Sequence, residues 1–246
     1  MRVIRAFVDL PLAGGTRVAL PDAAAAHLTR VLRLREGDAC VLFNGDGRDH
    51  AARIVSVGKR ETLVEVGEAR VVDNESPLRV TLLQGIARGE KMDLILQKAT
   101  ELGVARIVPV EAERTEVRLD AARMEKRLAH WRSVVASACE QCGRARLPDV
   151  AAPIAVADAG AHAAEAALRL TLDPGGEHAM ASLAIDAGAS IAIAIGPEGG
   201  WSPRDREALR AAGFDGLRLG PRILRTETAG LAAIAALQAR FGDMAE

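Results

Sequence analysis

Residues 191–205 read IAIAIGPEGGWSPRD. Five aliphatic residues alternate and read as a strand, and the run stops at a glycine-proline-glutamate-glycine-glycine turn. Ser202 stands where it can cap a following helix, Pro203 suits the first helical position, and Asp205 falls three residues past the cap. In an open α/β sheet a ligand sits at such a place, beyond the carboxyl ends of strands, where the backbone can approach it closely. The same residues also make a tight strand-to-helix turn with no ligand, because glycine is the default wherever φ must be positive.

The turn excludes two phosphate-binding designs. A P-loop needs G-x-x-x-x-G-K-[ST], and no lysine follows Gly200; G-x-G-x-x-G is not matched either, and Glu198 would repel a pyrophosphate. A ligand without a triphosphate, a cationic one included, fits the acidic turn better.

Outward from this stretch, strands are expected at 79–84, 105–110, 168–172 and 216–219. They alternate with helices at 91–102, at 121–140 and from about 227 to 240. Met92, Ile95, Leu96 and Ala99 share one helical face, as do Met124, Leu128, Trp131, Val135 and Ala138. Strand and helix in alternation give an α/β fold, a mostly parallel sheet covered by helices. The Ala-rich run 155–167 reads as a surface helix. Residues 1–72 read instead as short strands at 2–8, 17–20, 39–43, 50–57 and 62–66, a small barrel interrupted by one helix with Asp22 as N-cap. The polar run VVDNESP, 71–77, places a boundary between domains 1–72 and 73–246. Residues 217–228, LRLGPRILRTET, add a second glycine turn, two arginines and a helix start that Thr226 or Thr228 can cap. Charged loops concentrate binding residues, so two glycine loops at successive strand ends suggest one shared pocket.

Composition adds limits. With 49% hydrophobic and 26% charged residues the chain reads as soluble and globular, and its net charge of −1 gives no reason of its own to expect a nucleic acid. Lys59, Lys91, Lys98 and Lys126 are its four lysines; the arginine bias suits bidentate phosphate contacts but also accompanies an Ala- and Arg-rich composition. Asp9 and Pro11 interrupt what would be a signal-peptide core, so a cytoplasmic protein with no membrane segment is expected. Cys40, Cys139 and Cys142 make no disulfide framework, and Cys139 with Cys142 is half a zinc site without a second half, so no metal is expected.

Taken together, GPEGG with its capped helix, LGPRILRTETA, KMDLILQKATELGV at 91–104, ACEQCGR at 138–144 and HLTRVLRLREGD at 27–38 resemble the RsmE family of 16S ribosomal RNA (uracil-N3)-methyltransferases in the SPOUT superfamily. The resemblance covers essentially the whole chain. It implies a PUA-like RNA-binding β-barrel followed by a SPOUT α/β domain with a deep C-terminal trefoil knot, a homodimer, and S-adenosylmethionine (SAM) bound in the knot. The donor pocket would have three walls: Gly196, Pro197, Glu198, Gly199 and Gly200; Leu219, Gly220, Ile223, Leu224 and Thr226; and Leu172, Asp173 and Pro174. The substrate would be 16S rRNA, within the small ribosomal subunit.

N3 of uracil is protonated at neutral pH, so transfer needs that proton removed or shared while the nitrogen lines up behind the methyl group. Glu198 and Glu227 are candidate bases or orienting groups, and Arg225 can stabilise charge on the uracil oxygens. Each has a rival role: Glu227 at a helix N-terminus, Arg225 on a phosphate. Arg30, Arg33 and Arg35, extended by Lys91, Lys98, Arg144 and Arg146, are the expected RNA contacts, against the alternative of a solvated charged face. A flipped uracil would stack on an arginine plane or on Trp201. Two other readings stay open: a SPOUT enzyme for another base or a ribose, and a non-catalytic assembly factor.

Overall fold

The structure, a computed structural model, describes residues 3–116, 121–186 and 188–244, the side chains at 121 and 122 excepted. Its contacts divide the chain into two units: Met1–Glu75 with Ala136–Leu147, and Ser76–Val135 with Pro148–Glu246.

The first unit holds β1 (Arg5–Phe7), β2 (Arg17–Ala19), α1 (Asp22–Ala26, continued by a π turn over His27–Val31), β3 (Ala39–Phe43), β4 (Arg48–Val57) and β5 (Thr62–Val71). They form one sheet in the order β1-β3-β4-β5-β2, antiparallel except between β1 and β3. Of the strand expected at 2–8, Arg2 lies outside the described residues. Asp22 does not cap α1: Pro21 occupies that position and Asp22 opens the helix, where a carboxylate still favours the N-terminus electrostatically. Leu28, Leu42, Ile54 and Val64 fill the core. The stretch 136–147 completes the unit. Arg5, 9% exposed, donates to Cys139 O at 2.7 Å, Arg144 O at 3.2 Å and Asp49 Oδ1 at 2.6 Å, and lies 4.5 Å from the centre of the Phe43 ring. A guanidinium is tolerated inside because its donors are answered.

The second unit contains β6 (Arg79–Gly85), α2 (Glu90–Glu101), β7 (Arg106–Glu111), most of α3 (Ala121–Cys142), β8 (Asp149–Val150), β9 (Ile154–Ala155), α4 (Ala159–His162), β10 (Leu168–Leu172), β11 (His178–Ala179), β12 (Ser190–Ile195), α5 (Pro203–Ala211), β13 (Asp215–Arg218) and α6 (Thr226–Phe241). Its sheet runs β11-β13-β10-β12-β6-β7-β8, with β9 also on β7, and every pair is parallel. Side chains of a strand point alternately to opposite faces. In β12 the isoleucines Ile191, Ile193 and Ile195 therefore enter one core with Met92, Ile95, Trp131, Val135, Ile234 and Leu237, while Ala192 and Ala194 enter another with Leu209 and Ala159. Both faces are apolar because helices cover both.

The Ala-rich run differs from expectation. It is a two-residue strand, a 3₁₀ turn and the four-residue α4, with Val156, Ala159 and Ala163 at most 5% exposed. Alanine's helix propensity is a weak prior, and here small side chains are used to pack tightly against the sheet.

Candidate functional site

Four parallel strands, β13, β10, β12 and β6, end side by side, and the exits of β13, β10 and β12, with Lys91 of α2, shape a cavity of about 570 Å³. That volume lies within the ~300–1,000 Å³ of small-molecule sites. Leu172, Asp173 and Pro174 leave β10; Gly196, Pro197, Glu198, Gly200 and Trp201 leave β12; Leu219, Gly220, Ile223, Leu224, Arg225, Thr226 and Glu227 link β13 to α6; all line it. Lys91, Arg206 and Arg222 complete the charged part of the lining.

The turn after β12 is held from several sides. A Cβ on Gly85 would come within 2.5 Å of Pro197 N and 2.9 Å of Gly196 C, so the turn rests directly on the backbone at the end of β6. Gly200 has φ +64°, the left-handed region that favours glycine, and its N–H donates to Pro197 O at 2.8 Å. Ser202 and Asp205 cap α5 reciprocally, at 3.1 and 3.0 Å. Gly199, expected in the pocket wall, is not in the lining: it turns toward Arg114, whose guanidinium donates to Gly199 O at 3.0 Å.

On the opposite wall, Arg225 rather than a threonine occupies the N-cap of α6. Thr226 is buried and uses its hydroxyl for tertiary contact instead, donating to Gly196 O at 2.6 Å and accepting from Gln84 Nε2 at 3.0 Å. One hydroxyl thus ties the ends of β12, β6 and α6. Gln84 and Gly85 were not singled out from sequence; the visible signal was a polar residue followed by glycine at the carboxyl end of an apolar strand.

The electrostatics are concentrated in three side chains. Lys91 Nζ lies 3.3 Å from Glu198 Oε1 and 3.8 Å from Glu227 Oε2. Burial pushes the Glu198 pKa up, but the Arg88 backbone N–H, the residue's own backbone N–H and the Lys91 ammonium together outweigh it, so the carboxyl stays below its ordinary value. Glu227 Oε2 is buried without a hydrogen-bond partner. On another wall Arg206 pairs with Asp173 at 2.5 Å, another pair not expected from sequence. Among the described residues Arg222 and Arg225 make no ion pair, and Ile223 between them is 88% exposed.

The expected RNA contacts separate into groups. Arg30, Arg33 and Arg35 are exposed, and Arg33 has φ +60°, a conformation unusual for a side-chain-bearing residue. Lys98 pairs with Glu101 at 2.8 Å. Lys91 faces the pocket, and Arg146 lies over the Gly47 turn. Arg144 corrects the expectation: it is 5% exposed, and its Nε donates to Glu75 Oε1 at 3.0 Å, so a phosphate would have to displace the half-buried Glu75 carboxylate from a buried guanidinium. Trp201 is also only 5% exposed, and its indole N–H donates to Thr171 at 3.1 Å, so although it lines the cavity it offers little ring surface to an incoming base.

Among the described residues no cluster of His, Cys, Asp and Glu could hold a metal. The hydrogen bond with Cys142, then burial, keeps the Cys139 thiol protonated. No helix among the described residues is long and apolar enough to cross a membrane.

Residues 74–238 match a family model described as an RNA methyltransferase domain, and residues 20–67 one described as an RNA methyltransferase PUA domain. Ribosomal RNA small subunit methyltransferase E of Buchnera aphidicola is 30% identical over 99% of this chain and 98% of its own. Its counterpart in Mycobacterium tuberculosis is 35% identical over 94% of this chain and 89% of its own. A crystal structure of the Neisseria gonorrhoeae protein of that name, bound to S-adenosyl methionine, superposes with a TM-score of 0.89 at 40% identity, covering 98% of this chain and 99% of that one. A Legionella pneumophila protein described as a methyltransferase, solved with the cofactor SAM bound, gives 0.94 at 37% identity over 99% of this chain and 100% of that one. Matched by its family model over 74–238 and by relatives along its whole length, the chain belongs to the ribosomal RNA small subunit methyltransferase E family.

Proposed function

We propose that this protein transfers the methyl group of SAM to N3 of one uridine in the 16S rRNA of the small ribosomal subunit. The observation that carries the reading is the cavity between two glycine turns, lined by Glu198 and Glu227. The residues present fit SAM. Leu172, Ile195, Leu219 and Leu224 offer apolar surface for an adenine, the backbone of the Gly196 and Gly220 turns offers hydrogen-bonding groups, and Glu198 with Glu227 favour a sulfonium. When bound, SAM supplies an electrophilic methyl group.

The chain's own groups do the rest. The turn over 196–200 and the segment 219–226 orient the donor, Glu227 or Glu198 holds or accepts the N3 proton, and Arg225 faces the charge that gathers on the uracil oxygens. Arg30, Arg33 and Arg35 carry RNA backbone contacts. The protein works as a cytoplasmic homodimer, its C-terminal part forms the deep knot, and domains 1–72 and 73–246 divide RNA holding from chemistry.

The test is transfer of labelled methyl from SAM to small subunits lacking the modification, beside naked 16S RNA, with the product nucleoside identified by mass spectrometry. 3-Methyluridine in subunits is the expected product. Label in another nucleoside or on a ribose refutes the N3 assignment; donor binding without transfer to either substrate moves the target elsewhere.

A further inference from the structure

Lys91 stands with its ammonium between two carboxylates of unequal surroundings. Glu198 Oε1 accepts the Arg88 backbone N–H at 3.1 Å and lies 3.3 Å from the ammonium, so it is already engaged. Glu227 Oε2 is buried and has no hydrogen-bond partner, and the ammonium 3.8 Å away neutralises it without bonding to it. A buried oxygen left bare is costly unless a donor arrives. Among the described residues Lys91 is the one cation paired with either carboxylate.

We propose that Lys91 is a positioning residue: its charge keeps Glu198 tied into the glycine turn and holds the Glu227 carboxylate in place to take the proton from the substrate nitrogen. The inference rests on the methyl-transfer reading above. As the N3–H bond breaks, the proton passes to the Glu227 carboxylate and the electron pair left on N3 bonds to the methyl carbon. The carbon–sulfur bond breaks with its pair retained by sulfur, which becomes a neutral thioether, so the charges of carboxylate and sulfonium cancel.

The charged groups sharing the pocket with Glu227 are Lys91 of α2, Glu198 after β12, Arg222 and Arg225 before α6, and Arg206 with Asp173 on another wall. Removing Lys91 leaves two carboxylates with no paired cation between them, and like charges in one site disfavour ionisation of one member.

The experiment follows side-chain carboxyl titration by carbon-13 NMR in ligand-free, glutamate-labelled protein, with Glu227→Gln to assign the signal, for wild type, Lys91→Met and Lys91→Arg. Single-turnover methyl transfer to small subunits is measured against pH with the same proteins. Lys91→Met is expected to move the Glu227 titration and the acid limb of the rate profile upward together, by about one unit or more, with transfer recovering at alkaline pH. Lys91→Arg keeps both near wild type, and Glu227→Gln slows transfer roughly 10²–10⁴-fold at every pH. An unmoved Glu227 titration in Lys91→Met, with only KM for subunits raised, overturns the proposal and makes Lys91 an RNA contact. If wild-type protein moves no methyl group, the functional reading fails, while the ligand-free titration still decides whether Lys91 holds the pair.

Discussion

Gly85→Ala tests whether the pocket is built on backbone contact. The added Cβ would meet Pro197 N at 2.5 Å, Pro197 Cδ at 2.6 Å and Gly196 C at 2.9 Å, none of them the far end of a flexible side chain. Carbon contacts are comfortable near 3.5 Å, so the turn must retreat by roughly 1 Å. Overpacking of this kind costs about 1–3 kcal/mol, which for a chain of this size lowers Tm by roughly 2–12 °C. The retreat also stretches the Thr226 hydroxyl's 2.6 Å bond to Gly196 O. Loss of that bond, worth about 1 kcal/mol net, weakens SAM binding by roughly fivefold at ~1.4 kcal/mol per decade. A misplacement of ~1 Å at the reacting groups lowers transfer by about 10²-fold. Calorimetry supplies Tm and SAM affinity, and single-turnover transfer supplies the rate. Gly15→Ala is the control, since Gly15 has positive φ with open space around it and belongs to the first unit, so it pays only backbone strain. If Gly85→Ala binds SAM as tightly as the control, the turn does not depend on this contact and the reasoning fails.

Thr226→Val removes a donor and an acceptor at once and leaves Gly196 O and Gln84 Nε2 short of a partner; a loss of about 1–3 kcal/mol in urea unfolding is expected, with Thr226→Ser close to wild type. Arg144→Ala breaks the pair with Glu75 and is expected to destabilise by about 2–4 kcal/mol while leaving the salt dependence of rRNA binding unchanged; a flatter salt slope with normal stability would make it a phosphate contact after all. Because the folded-state pKa of Glu198 is lowered, its stabilising contribution is complete above the unfolded value of about 4.3 and disappears as pH falls through the folded value. Wild type and Glu198→Gln should therefore differ in Tm at neutral pH and converge below about pH 4; a constant gap across that range contradicts the depressed pKa.

Local chemistry made much of the α/β unit readable. β12 showed as Ile and Ala in alternation, and the Ser202, Pro203, Asp205 spacing marked the start of α5 because capping is satisfied within four residues. Both walls of glycine turns were visible for the same reason. What failed depended on partners far along the chain. Arg144 looked like a free surface cation because Glu75 is 69 residues away, and Thr226 looked like a cap because Gln84 is 142 residues away. Lys91 read as an RNA contact since nothing nearby in sequence announced that two glutamates from other loops would converge on it. The Ala-rich run shows the converse error, a propensity overridden by burial against the sheet.

The first unit's dependence on residues 136–147 sets an order of events during synthesis. Arg5 and Asp49 emerge early, but the carbonyls of Cys139 and Arg144 that complete the Arg5 site follow only after α2, β7 and most of α3 have been made. At about 5–20 residues per second that is a wait of roughly 4–14 s. Through that interval the nascent N-terminal segment carries a guanidinium answered by Asp49 alone, and an isolated fragment ending at residue 75 would lack the two carbonyl partners permanently. The reading frame therefore imposes a clock on this fold: the unit begun first is finished only once the chain has passed residue 147.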